Sequence, residues 1–530
     1  MPLPDPTTIP LHQVVAARAQ VTPDFPILTF VHEGDGHPEE AVRTYSDLHR
    51  NGRALAGALT GLGVQSGQQV ALMMNNHPEF VEAMLATSQL GAVFVPVDPR
   101  SIGDKLAHML DFTDCVGAIC TDQSLASILA VAERCKQMRW VAVLGGERPG
   151  ITTAPPSQLR VVALDTLLAS TATPSNRPEA TDMDTPMFMM FTSGTTGNPK
   201  AVVQTHRDYM SRATALARLG LSTSDGLYNG LSLTHINAQN TLRNGLALGV
   251  RTVFSRKFTK RRLWSLCRHY QCTVFNLLGG MIPEIYGMPE QPDDADNPVR
   301  FIFTSGMPAA IWQAFERRFG VTILEGYGAT EGGGLSNPPG VGPVGSIGKP
   351  APEWEAAILV EDGTPLGPNE EGEICFRRRD GAPITVRYYK NPEASADKVR
   401  GGWLRMGDLG HIDENGWFYF HHRVGGGVRR NGDFVNTAVV ESVLTQSPLV
   451  ADVFVYGVAT PRNVSGEKTL VAAVVPNDLS SFQAEALLSW CRERLEKNDV
   501  PEIIQVLAEI PKTVSEKPIE SACIEQLTIQ

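Results

Sequence analysis

Short apolar runs and longer mixed stretches take turns along the first 180 or so residues. The run VALMM at 70–74 has no polar position. That pattern predicts a strand covered on both faces, not one wetted on alternate residues. HPEFVEAMLATSQL follows as a predicted helix closed by Gly91. AVFVPVDP is then a second buried strand, halted by its prolines. Strand, helix and strand in that order predict a right-handed crossover between parallel neighbours. VGAICT and RWVAVLG predict further short strands, with SLASILAVAERCKQ as a helix between them. Residues 170–186 are polar and proline-containing and predict a loop before the strand MFMMF.

The alternation runs to about residue 330. Beyond it AAILVED, GEICFRR and GWFYFHHR are short β-like runs broken by DGTPLG and DENG. Gly425, Gly426 and Gly427 stand together between structured stretches and predict a flexible joint. The tail carries its own strand and helix signals, VADVFVYGV, KTLVAAVVP and FQAEALLSWCRERLEK. The expected division is therefore an α/β N-terminal part, residues 1–424, and a smaller C-terminal domain, residues 425–530, with no internal repeat.

Composition narrows the function classes. A chain of 530 residues is too long for one core and suggests roughly three or four domain-sized units. With 42% hydrophobic and 19% charged residues it reads as an ordinary globular protein. A net charge of −11 argues against a nonspecific nucleic-acid binder. No uncharged apolar run approaches membrane-spanning length, and the N-terminus lacks the basic and apolar segments of a signal peptide. The eight cysteines form no C-x-x-C and predict buried free thiols in a reducing cytoplasm. The histidines form no H-E-x-x-H, and adjacent His421 and His422 would face opposite sides of a strand, so no zinc site is expected.

FTSGTTGNPKAVV, residues 191–203, nearly spells a nucleotide-binding P-loop. Read from Gly194, that frame puts Pro199 where the second glycine belongs and Ala201 where the magnesium-binding hydroxyl belongs. Lys200 also precedes AVVQT, a β-branched run, rather than a helix. The loop is expected to join two strands. It would hold phosphate by backbone N–H groups freed at Gly194 and Gly197, by the hydroxyls of Thr192, Ser193, Thr195 and Thr196, and by the Lys200 charge. A ligand-free Ser/Thr/Gly hairpin is the plainer alternative.

TSGTTGNPK resembles the signature of the adenylate-forming superfamily: acyl-CoA synthetases, aryl-CoA ligases, peptide-synthetase adenylation domains and luciferases. Further matches follow in family order. EGYGATE (325–331) is similar to the second nucleotide motif, and GEICFR and YYKNPEAS to the β-rich segment. WLRMGDLG (403–410) is similar to the ribose motif, HHRVGGGVRRNG (421–432) to the interdomain hinge, and PKTVSEKP (511–518) to the motif with the catalytic lysine. The resemblance implies a large domain of layered α/β sheets with a small β-barrel-like part, and a mobile α+β lid. It implies ATP, Mg²⁺ and coenzyme A, and a carboxylic acid made into an acyl-adenylate and then a thioester.

The resemblance also implies roles. Glu331 would hold magnesium, Thr330 a phosphate oxygen, and Lys200 the outer phosphates. Tyr327, within Gly326 and Gly328, would stack on adenine, with Gly306 and Met307 on its other face and Glu325 accepting from its amino group. Asp408 and Arg423 would take the ribose. Lys517 would stand at the reacting carboxylate and α-phosphate, although Glu516 replaces the usual glycine before it and Lys512 lies nearby. Gly425 and Gly426 occupy the hinge, where the family usually has charged residues, and Gly432 would line the thiol tunnel. The acyl pocket would include His235 as gate, Asn237, Asn240 and Gly280. HINAQN and FNLLGGMIPEI look nearest the crotonobetaine/carnitine-CoA ligase branch, and the polar residues favour a polar or small acyl group. The chain ends soon after Lys517 with no carrier domain, which favours a freestanding ligase; a homodimer stays open. Adenylation serving another second step, a nucleotide sensor without thiolation, and a luciferase-type oxygenase also remain open.

Overall fold

The computed structural model describes the chain apart from residues 1, 33–38, 146–155, 170–180, 193–198, 280, 424–427, 432, 461–466, 512–517 and 528–530. Gln69–Met73 is buried at all five positions. It pairs in parallel with Val93–Pro96 on one side and Cys115–Thr121 on the other. The helix Pro78–Leu90 makes the crossover and stops at Gly91, whose φ of 64° is left-handed and suits glycine. These strands belong to a seven-stranded sheet ordered Arg160–Ala163, Trp140–Leu144, Cys115–Thr121, Gln69–Met73, Val93–Pro96, Pro186–Thr192 and Lys200–Thr205. Only the last pair is antiparallel.

A second sheet has nine strands. Six parallel strands form its centre: Thr322–Ala329, Phe301–Ser305, Val274–Leu278, Gly226–Asn229, Arg251–Ser255 and Pro26–His32. Antiparallel strands close both edges. The two sheets share a layer of helices. One apolar core joins Leu28 and Phe30 of the nine-stranded sheet, Leu72, Phe94 and Phe188 of the seven-stranded sheet, and residues of the helices Tyr45–Gly61, Pro78–Leu90 and Ile236–Leu248. Pro78–Leu90 is thus covered nearly all round, and even Glu82 is buried, paired with Arg43 and Asn51 at 2.7 Å each. An all-antiparallel sheet of Trp354–Leu359, Gly372–Arg378, Trp403–Ile412, Val399–Arg400 and Phe418–Arg423 forms the β-rich part.

A separate core starts at Val428 and covers the three-stranded sheet of Val450–Val458, Thr469–Pro476 and Ile503–Val506 with the helices Thr437–Thr445 and Ala484–Arg492. The architecture is a large layered α/β region with a β-rich attachment and a small α+β C-terminal region. Lys105 Nζ meets Glu496 Oε2 at 2.8 Å across the two regions. All eight cysteines are buried and free. Among the described residues no helix is long and apolar enough to cross a membrane.

Candidate active site

The glycine-rich loop springs from a hairpin. Pro186–Thr192 and Lys200–Thr205 are antiparallel, and their last register pair is Thr192 with Lys200. A strand therefore follows the lysine, not a helix, as the β-branched run predicts. Ser193, Gly194, Thr195, Thr196 and Gly197 lie outside the described residues, as do Gly280, Gly425, Gly426, Gly432 and Lys517 and the Arg423 side chain.

Beside this hairpin runs a segment that the sequence reading did not single out by residue. Val203 N–H donates to Arg387 O and Tyr389 N–H to Ala201 O, both at 2.8 Å. These bonds bolt Tyr388 to the strand that carries Lys200. The buried Tyr388 ring lies under the Lys200 ammonium, 5.4 Å from centroid to Nζ. Its hydroxyl donates to Glu331 Oε1 at 2.7 Å. Gln204, on the same strand, donates to the Thr330 carbonyl. Lys200, at the start of its strand, is thereby drawn to Thr330 and Glu331, in the turn after the strand Thr322–Ala329.

Magnesium suits this place. It usually keeps waters and takes one or two carboxylates plus substrate phosphates. Glu331 is such a carboxylate, held from one side by Tyr388 and within a cluster with Lys200. Among the described residues no three His, Cys, Asp or Glu side chains gather into a cage. Glu331 would hold the ion together with nucleotide phosphates.

Glu325 is 3% exposed, and its carboxylate faces its own backbone surroundings. It accepts from Gly306 N–H at 2.5 Å, Met307 N–H at 3.2 Å and the Thr304 hydroxyl. Burial raises its pKa, partly offset by these bonds and by the nearby Arg429 charge. This geometry makes Glu325 the strut of the Gly306–Met307 turn. Gly306 has a φ of +90°, which glycine tolerates and side-chain-bearing residues resist. Tyr327 stacks on Phe376 at 6.4 Å and donates to Asp408 Oδ2 at 2.5 Å. Gly326 and Gly328 flank it on the strand Thr322–Ala329. Asp408 is buried within Trp403–Ile412, in register with Arg423.

Arg429, from the C-terminal region, enters this site; it lies within the hinge-like motif HHRVGGGVRRNG, but the sequence reading assigned it no role. Its Nη2 sits 2.7 Å from where a Gly279 Cβ would be and 2.8 Å from a Gly306 Cβ. Two glycines thus make the seat of its guanidinium. His235 stands at the start of the helix Ile236–Leu248 without capping it by its side chain, and places Nε2 3.6 Å from Asp98 Oδ2. Burial opposes ionisation of Asp98, but hydrogen bonds from His235 and Arg100 outweigh it and hold its carboxyl well below the usual range. Asn237 shares a polar cluster with Asn229, Thr241 and Asn276. Asn240 lies apart from them, its Oδ1 accepting from Arg243 at 2.7 Å.

The chain matches the model of the AMP-binding enzyme family over residues 15–389 and that of its C-terminal domain over residues 439–517. It belongs to the AMP-binding enzyme family. A crotonobetaine/carnitine–CoA ligase of Salmonella paratyphi B is 28% identical over 485 residues, 90% of this chain and 92% of that protein. The o-succinylbenzoate CoA synthetase of Bacillus subtilis, a double mutant bound to a product analogue, superposes with a TM-score of 0.81 at 24% identity, covering 97% of this chain and 98% of that one. The same synthetase with ATP and magnesium gives 0.66 at 24% identity, covering 96% and 99%. This AMP-binding enzyme is an AMP-forming acid–thiol ligase that activates a carboxylic acid with ATP and passes the acyl group to coenzyme A.

Proposed function

We propose that the two half-reactions are divided between the residues gathered here and the C-terminal region that carries Arg429 and Lys517. The attack of a carboxylate on the α-phosphate brings two anions together, so fixed cations must offset the repulsion. Lys200 and the loop before it take the outer phosphates. Glu331, aimed by Tyr388, and the Thr330 hydroxyl face the same oxygens. When bound, magnesium supplies charge neutralisation across the phosphates. Asp408 accepts from the ribose, Tyr327 stacks on the base, and the turn braced by Glu325 forms the other wall. Lys517 meets the carboxylate in the first step.

The observation that carries this reading is the meeting of Lys200, Tyr388 and Glu331 at the mouth of a strand-to-strand loop. The division of the chain near residue 424 is part of the proposal. Support for it comes from the separate core that starts at Val428 and from the better match to the product-analogue complex than to the ATP complex of one synthetase. A reducing cytoplasm suits the buried free thiols. The test is a panel of carboxylic acids with ATP and Mg²⁺, following pyrophosphate with and without coenzyme A. The expected result is pyrophosphate release with an accepted acid and thioester only when coenzyme A is added. Lys517→Ala should lower pyrophosphate release by orders of magnitude yet still accept preformed acyl-adenylate; an intact first step would reassign the lysine.

A further inference from the structure

The strand Gly226–Asn229 lies at a reversal of the nine-stranded sheet. The chain passes first to Arg251–Ser255 on one side and then back to Val274–Leu278 on the other. Open α/β sheets bind ligands in the crevice beyond the carboxyl ends of strands at such a point. Asn229 ends one of these strands, and Asn276 sits on the other. The helix Ile236–Leu248, which supplies Asn237 and Thr241, begins above them.

The orientation of these amides follows from one backbone bond. Leu231 N–H can only donate, and it donates to Asn229 Oδ1 at 2.8 Å. The Asn229 NH₂ group therefore points the other way. It gives one N–H to Thr241 Oγ1 at 2.8 Å and one to Asn237 Oδ1 at 3.2 Å. Asn237 Oδ1 also accepts from Asn276 Nδ2 at 2.9 Å. With its oxygen held by two donors, Asn237 must turn its own NH₂ group away from the cluster. Those two N–H donors have no acceptor among the described residues. Asn237 and Asn276 are only partly buried, so they border open space, whereas Asn229 and Thr241 are inside.

The position is close to the chemistry. Asn237 is two residues beyond His235, at the uncapped start of its helix. Leu278 is in register with Ser305, which leads directly into the Gly306–Met307 turn. Asn276 is two residues back along that strand, roughly 7 Å.

We propose that the acyl site selects a carboxylic acid with an oxygen function on its chain, a hydroxyl, keto or second carboxylate group, read by the Asn237 N–H donors. This deepens the reading above and rests on it. A bare hydrocarbon chain laid over Asn237 would strip water from two donors and return nothing. An acceptor oxygen would satisfy them. Sites built to bond a substrate oxygen reject the analogue that lacks it far more strongly than apolar pockets discriminate by size.

The test is ATP–pyrophosphate exchange on matched acids: butanoate against 3-hydroxybutanoate, pentanoate against 4-oxopentanoate, and pentanoate against glutarate. The wild-type enzyme should favour at least one oxygenated member by about tenfold or more in kcat/KM. Asn237→Asp keeps the oxygen that Asn229 and Asn276 hold but removes the donors. Asn237→Leu removes both. Each should bring that ratio close to one, chiefly through KM, with thermal unfolding confirming the fold. Equal use of every pair by the wild type, or an unchanged ratio in folded variants, overturns the proposal. If either variant misfolds, the wild-type ratio decides. Exchange with no acid at all would instead overturn the adenylating reading beneath it.

Discussion

A tyrosine hydroxyl 2.7 Å from Glu331 fixes one oxygen of that carboxylate; in the proposed reading the other turns toward the nucleotide. Hydrogen bonds to charged groups contribute about 1.5–3 kcal/mol. Tyr388→Phe should therefore weaken Mg²⁺-dependent ATP binding by about tenfold or more, measured by calorimetry. Transfer from preformed adenylate to coenzyme A should change little. Lys200 and Glu331 were legible in the sequence because each lies in a dense motif. Tyr388 was not, because its role depends on a strand pairing between residues 201–203 and 387–389 that no local pattern reports. The Glu325 strut was hidden for a related reason: a motif names a carboxylate but not which way it faces. Asn229 carries no motif and becomes meaningful only through Asn237 and Asn276.

Among the elements, the strand of the C-terminal region that starts at Val428 reaches furthest into the site, through Arg429. Its seat on Gly279 and Gly306 exists only while that region is docked as seen here. Arg429→Ala should slow thioester formation from preformed adenylate by about tenfold, the scale of one charge-assisted contact. Pyrophosphate release in the first step should persist; equal loss of both steps would mean that Arg429 serves binding in general. The parallel strands and crossovers of the first 145 residues were readable because unbroken apolar runs have few alternatives to a buried strand. The place of Pro26–His32 was not. It pairs with Arg251–Ser255 across more than 200 residues, and such distant pairing leaves no periodic trace.

The whole molecule should be sensitive to acid. Burial is the main cause that lowers His12 to about 3, and His77 and His206 to about 4. All three lie below the ordinary 6.5, so the unfolded chain takes up protons first as pH falls. Stability is complete above about 6.5 and is lost progressively down to the folded values. Each histidine costs roughly 1 kcal/mol per pH unit in that window. Urea midpoints at pH 7.5 and pH 5 should differ accordingly. His206→Leu should shrink the difference, because it removes a buried titrating ring whose two nitrogens have no hydrogen-bond partner among the described residues. At the joint, Gly425→Pro should spare adenylate formation and depress thioester formation, read by the same two half-reaction assays. The glycines suggest a joint in the sequence and lie outside the described residues; which face the C-terminal region presents to the site could only come from three dimensions.

The buried thiols have a practical side. Burial pushes Cys115, Cys120, Cys272 and Cys375 up to about 12, and Cys135 and Cys491 up to about 11. Maleimide dyes react with exposed thiolate, so the native enzyme offers a silent background for labelling. Cysteines introduced at exposed Val341 and Leu479, one on each region, would accept a donor–acceptor dye pair without removal of any native cysteine. Energy transfer between them would then report, molecule by molecule, whether the C-terminal region moves between one half-reaction and the next.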